Sequence, residues 1–207
     1  MKLSTRRIAS FQKKILTWWT TNRRDLPWRD TRDPYRIMVS EVMLQQTQVT
    51  RVLVKFAEFI KAFPKVSDLA KASPAQVLRV WKGMGYNRRA LYLHRAAQAI
   101  VGECHGKVPV SESELIKLPG LGIYTARAIM VFANEEEVPL VDTNIRQIIT
   151  HHFFADEPQK DTAIEAVALQ LIPSGKSWEW HQALMDYGAL AMPNAKCKML
   201  NKKKKII

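Results

Sequence analysis

Apolar residues recur at helical spacing along nearly the whole chain. Ile8, Phe11, Ile15, Trp18 and Trp19 fall on one side of a helix that stops at the turn chemistry of "DLPWRDTRDP". Residues 36–63 carry the same period, as one long helix or two, ending at Pro64. Ser73 then reads as an N-cap with Pro74 in the first turn and Gly83 and Gly85 as the stop. "RRALYLHRAAQAIVGEC" reads as another helix, and Ser111 with Glu114 forms a capping box opening "ESELIKL". "GIYTARAIMVFA", "TNIRQIITHHFF", "KDTAIEAVALQLIP" and "SWEWHQALMDYGALAM" complete the set. No segment alternates long enough to argue for a sheet and no fixed-period repeat is visible, so the expected class is all-α.

One position breaks the pattern. Glu41 follows Ile37, Met38 and Val39 and precedes Val42, Met43 and Leu44. On a helix, Ile37 and Leu44 share its face, while Met38, Val42 and Val49 line the flank. Apolar residues nearly all round predict a buried helix, where an unpaired carboxylate is expensive. Either Glu41 is paired with an arginine such as Arg29 or Arg36, or it is a proton donor whose apolar setting disfavours the charged form.

Charge narrows the partner. The 207 residues hold 32 Lys+Arg against 19 Asp+Glu, a formal net charge of +13, which favours nucleic acid ahead of an acidic membrane. Lys202–Lys205 would add phosphate affinity without reading sequence. No run of apolar residues approaches a membrane span, and "ILTWW" is too short for a signal peptide. Cys104 and Cys197 are too few for a disulfide framework and form no CxxC, so no metal site is readable. A cytoplasmic, nucleoid-associated protein is expected.

The stretch "ELIKLPGLGIYTARAIM" predicts a helix to Leu118, a four-residue turn, and a second helix from near Ile123. Pro119 stops the first helix, and Gly120 and Gly122 are expected to allow positive φ and close approach of a ligand. The second helix would then present free N–H groups and its positive dipole end to an anion such as a DNA phosphate. Taken alone, the turn could equally be an ordinary linker.

"LPGLGIYTA" resembles the helix–hairpin–helix of the base-excision DNA glycosylase superfamily, and "PLVDTNIRQII" matches its following aspartate element. "LPWR", "DPYRIMVSEVMLQQTQV" and "WKGMGYNRRALYLHRAA" are similar to the MutY-type adenine DNA glycosylase family, with likeness from about Arg23 to Ala191. The resemblance implies a two-lobed fold with an active-site cleft between the lobes. Residues 26–133 would form the helical bundle with the hairpin, and residues 1–25 with 134–207 the second lobe. It also implies double-stranded DNA with a mispaired base as partner, no membrane, and a monomer.

The roles follow residue by residue. Glu41 would protonate N7 of a flipped purine, Asp142 would stabilise the oxocarbenium-like transition state, and Asn144 would help hold the attacking water. Bifunctional relatives carry a lysine where this chain has Tyr124. A phenol cannot form the Schiff base, so the expected enzyme is monofunctional and leaves an abasic site. Gln46 and Tyr86 would be the wedge in the DNA stack, Arg29 would lie near the base pocket, and Arg88 and Arg89 would touch phosphates. His151, His152 and His181 read as surface or packing residues, and Asp186 as packing support.

Two departures stand out. Most of the resembled family ends in four cysteines holding a [4Fe–4S] cluster, but Met192 occupies the first ligand position. One thiolate cannot hold a cluster, so none is expected and the protein should be colourless. The lesion-reading C-terminal domain of the adenine enzymes is also missing from this sequence. The hairpin carbonyls could hold a monovalent cation. Two rival functions are a thymine/uracil mismatch glycosylase acting opposite guanine, which has less use for Glu41, and a non-catalytic hairpin module that would need neither Glu41 nor Asp142.

Overall fold

The computed structural model describes residues 1–192; Cys197 and the lysine run 202–205 lie outside the described residues. Among the described residues there are only helices and turns, as expected for an all-α chain. The α-helices are α1 (Thr5–Asn22), α2 (Pro34–Leu44), α3 (Val49–Ala62), α4 (Val66–Lys71), α5 (Pro74–Trp81), α6 (Arg88–Glu103), α7 (Glu112–Leu115), α8 (Ile123–Asn134), α9 (Thr143–Phe154), α10 (Asp161–Gln170) and α11 (Ser177–Leu190). A 3₁₀ turn covers Pro27–Arg29. None of these helices is long and apolar enough to cross a membrane.

Two compact units result. One comprises Asp25–Asn134; the other joins Met1–Arg24 to the chain from Glu135 onward. In the first, α2 packs on α8 and α3, while α6 packs on α4 and α5. Its core holds Met38, Val39, Phe59, Leu69, Trp81, Leu93 and Ile129, all fully buried. In the second, α11 packs on both α1 and α9. Phe11 meets Phe153 at 5.0 Å and Trp180 at 5.9 Å, edge to face, the arrangement their ring quadrupoles favour.

The structure sharpens three sequence expectations. The helical stretch 36–63 is two helices, parted at residues 45–48. The helix expected to reach Leu118 ends at Leu115 and continues as turns, Leu118 N–H donating to the Leu115 carbonyl. Ser111 does cap it, but the Glu114 carboxylate takes the Ser111 hydroxyl at 2.5 Å. The true reciprocal box is at Ser73, whose N–H donates to Gln76 Oε1 at 2.7 Å while its hydroxyl accepts the Gln76 N–H.

Candidate active site

Helix α2 is built to be buried. Asp33 caps it by accepting the Tyr35 N–H at 2.9 Å, and Pro34 is pre-set for its first turn. The Tyr35 hydroxyl donates to the Phe63 carbonyl at 2.8 Å, fixing the helix against the end of α3. From Tyr35 to Met43 only Arg36 escapes burial. Glu41 is 6% exposed, and Arg29, in the 3₁₀ turn, is 5% exposed. Arg36, one of the two partners considered for Glu41, forms an ion pair with Asp33 at 3.6 Å.

The two expected wedge residues share a feature that no pattern announced. Gln46 and Tyr86 are both exposed and both left-handed, with φ of 54° and 49°. Such backbone costs a non-glycine residue about 1–3 kcal/mol and persists only where neighbours over-determine it. Arg89 is that neighbour, not the phosphate contact expected of it. Its half-buried guanidinium donates from Nη1 to the carbonyls of Val42, Met43 and Gln45, and from Nη2 to Thr47 Oγ1, Met84 O and Gly85 O. Gln45 also reaches Thr125 at 3.4 Å, tying the end of α2 to α8.

The hairpin corrects the glycine expectation. Gly120 has φ of +80°, and a Cβ there would lie 2.6 Å from Tyr92 Cβ, so the position is closed to any other residue. Gly122 has no positive φ; a Cβ there would meet nothing within 4 Å, which leaves its face open to a ligand. Arg88 reaches the residue that backs Gly120, donating to the Tyr92 hydroxyl at 2.8 Å with its guanidinium 5.6 Å from the ring centroid. Tyr124 is half-buried in the first turn of α8.

In the other unit, Asp142 caps α9, accepting the Ile145 N–H at 2.7 Å and the Asn144 amide at 3.3 Å. Burial raises its pKa above the usual carboxylate value, and the hydrogen bonds from Ile145 and Asn144 oppose that rise. Helix α11 supports this element from both sides. Ahead of Asp142, the buried His181 accepts the Leu140 N–H on Nε2 at 3.3 Å and donates from Nδ1 to the Ser177 carbonyl at 2.7 Å. Behind it, a Cβ on Gly188 would lie 2.7 Å from Asn144 Cβ.

His181 gives a pH signature. Burial lowers its pKa to about 4, with the Ser177 carbonyl opposing. The folded state thus disfavours the proton that the unfolded chain accepts near 6.5. Its stabilisation is complete above that value and is lost as pH falls toward 4, about 3 kcal/mol in all. His152, also lowered to about 4, titrates in the same window. The expected result is therefore a flatter pH dependence of melting for His181→Asn than for the parent, and equal slopes would remove this role.

Within their units the structure brings Asp142 to Asn144, Arg88 to the Tyr92 that backs Gly120, and the Gln46 loop to the Tyr86 loop. Sequence reasoning missed Arg89 as an organiser, and His181 and Gly188 as supports. Only Gly188 left a trace, since a glycine inside a helix costs about 1 kcal/mol and signals close approach.

Residues 39–174 match the sequence profile of the HhH-GPD superfamily base excision DNA repair proteins. The chain is 43% identical over 179 residues to the adenine DNA glycosylase of Mycolicibacterium smegmatis, covering 85% of this chain and 61% of that protein. It is 32% identical to the thymine/uracil-DNA glycosylase of Methanothermobacter thermautotrophicus, covering 87% of this chain and 83% of that protein. The chain thus spans about three fifths of the mycobacterial adenine enzymes it matches. A solved thermostable thymine-DNA glycosylase superposes with a TM-score of 0.84 at 31% identity, over 89% of this chain and 87% of that one. An endonuclease III–DNA complex superposes at 0.78 with 18% identity, over 91% and 87%, a likeness of fold.

Proposed function

Because the chain belongs to the HhH-GPD superfamily of base excision DNA repair proteins, we propose that it is a monofunctional DNA glycosylase removing a mispaired adenine from duplex DNA. The observation that carries the adenine reading is Glu41, a carboxyl 6% exposed on an apolar helix. Glu41 donates a proton to N7 of the extruded purine as the C1′–N9 bond breaks, and the base leaves with the bond's electron pair. Asp142 stabilises the positive charge that grows on the sugar, and Asn144 orients the water whose oxygen adds to C1′ as one of its protons is released to solvent. Tyr124 offers no amine, so no Schiff base forms and an abasic site remains. Gly122 and the N-terminal turn of α8 take a backbone phosphate, Arg29 lines the base pocket, and Arg88 contacts phosphate.

A [4Fe–4S] cluster needs four thiolates. Met192 stands at the first ligand position, Cys104 follows α6 in the other unit, and no group of three or more His, Cys, Asp or Glu among the described residues could hold a metal. The residues therefore do not fit the cluster. The protein acts as a monomer on one duplex.

The test is excision from labelled duplexes carrying A opposite 8-oxoguanine, A opposite G, T opposite G and U opposite G, each with and without alkali. Release of adenine, with strand breaks only after alkali, is expected. Glu41→Gln is expected to slow that release by about 10²–10⁴-fold with duplex binding retained. Release of thymine or uracil instead would establish the second reading, which is favoured by the likeness to the thymine/uracil enzyme along 83% of its length.

A further inference from the structure

We infer that Arg89 is a positioning residue that locks the loop carrying Gln46 and the loop carrying Tyr86 into one rigid unit, so that both side chains are presented to the duplex together. The inference rests on the proposed glycosylase function and on the wedge role that the family resemblance implies for those two residues.

Helix α2 ends with carbonyls that have no intrahelical donor and with the negative end of its dipole, a setting that attracts a cation. Arg89 Nη1 donates to Val42 O and Met43 O at 3.0 Å each and to Gln45 O, the peptide immediately ahead of Gln46. Nη2 bonds Thr47 Oγ1 at 3.0 Å, immediately after Gln46. The same nitrogen donates to Met84 O at 3.3 Å and Gly85 O at 3.2 Å, immediately ahead of Tyr86. One planar fork therefore holds both loop backbones.

Rings hold the fork in turn. Its carbon lies 5.4 Å from the centroids of both Trp81 and Tyr86, and Trp81 is fully buried, with its indole N–H on the Gly85 carbonyl at 3.1 Å. Gln46 and Tyr86 are left-handed, a backbone state that non-glycine residues leave unless held. A lysine would keep the charge but lacks the planar donors that reach both loops. Holding the two side chains ready removes an ordering cost from DNA distortion.

The test uses the full chain and a duplex with 2-aminopurine at the target position opposite guanine. A 2′-fluoro sugar there destabilises the cationic transition state and blocks excision. Fluorescence reports base extrusion in the parent, Gln46→Ala, Tyr86→Ala, the double variant, and the same set on Arg89→Lys. Extrusion is expected to fall about tenfold in the folded Arg89→Lys protein, read well below its lowered melting temperature. The Gln46 and Tyr86 effects, non-additive in the parent, become additive on Arg89→Lys. If Arg89→Lys does not fold, Thr47→Val takes its place and is expected to move extrusion the same way by a smaller factor.

Normal extrusion with non-additivity retained in the folded Arg89→Lys protein would overturn the inference and spare the wedge reading. No effect of Gln46→Ala or Tyr86→Ala would overturn both.

Discussion

Asp142→Asn is expected to lower the excision rate by on the order of 10³-fold while leaving the protein at least as stable as its parent. The two effects have one cause. Asp142 holds a negative charge that the surrounding protein dehydrates, and its pKa is raised for that reason. A carboxyl that binds its proton more tightly in the folded state costs stability once it ionises. That cost is absent below the unfolded value near 3.9, grows through the raised folded pKa, and is complete above it.

Asparagine keeps a side-chain oxygen to accept the Ile145 N–H, so the cap of α9 survives while the buried charge is gone. The difference in melting temperature between variant and parent should therefore widen as pH rises out of the carboxylate range. In the parent, kcat/KM should fall on the acid side at a pH above the ordinary aspartate pKa, because only the ionised form stabilises the sugar cation. Near-normal turnover in Asp142→Asn would end the assignment. A variant less stable than the parent at neutral pH would mean that the carboxylate's hydrogen bonds outweigh its dehydration.

The largest expected loss of stability lies elsewhere, at Asp186 on α11. Its side chain is fully buried and takes the Trp19 indole N–H at 2.9 Å, the Arg24 backbone N–H at 3.1 Å and the Arg24 Nε at 2.5 Å. These contacts fasten the C-terminal end of α1 to α11, the same helix whose Gly188 seats Asn144. Asp186→Ala strips the acceptor from those donors, and breaking such a buried pair costs roughly 3–5 kcal/mol. Arg24 keeps 27% side-chain exposure, so water recovers part of its share and the lower end applies, about 3 kcal/mol. For a chain of this size that is a fall in melting temperature of about 6–12 °C. Calorimetry decides it, and a shift under 2 °C would mean that the network contributes little.

What the sequence by itself determined is the part carried by local chemistry. Helical spacing, caps and the Pro-Gly turn act over a few residues, so the main helices and the hairpin were readable from neighbours in the chain. Glu41 was readable for the same reason, since a carboxylate surrounded by apolar positions on a helix is anomalous wherever the helix packs. Asp142 as an N-cap is equally local.

The tertiary structure alone decided everything that depends on distant groups meeting. The 36–63 stretch divides at residues 45–48, and Arg89, more than forty positions away, holds the α2 end of the break. Gly120 is constrained by Tyr92 from α6, whereas Gly122, identical in sequence terms, is free of any such neighbour. Arg88 and Arg89 are adjacent and chemically alike, yet one faces solvent and the other crosses to carbonyls of two loops. His181 supports Leu140, two residues ahead of Asp142, from forty-one positions beyond it. Hydrogen bonds and steric exclusion act over a few ångströms of space, without regard to separation along the chain, so these assignments exist only once the helices have packed.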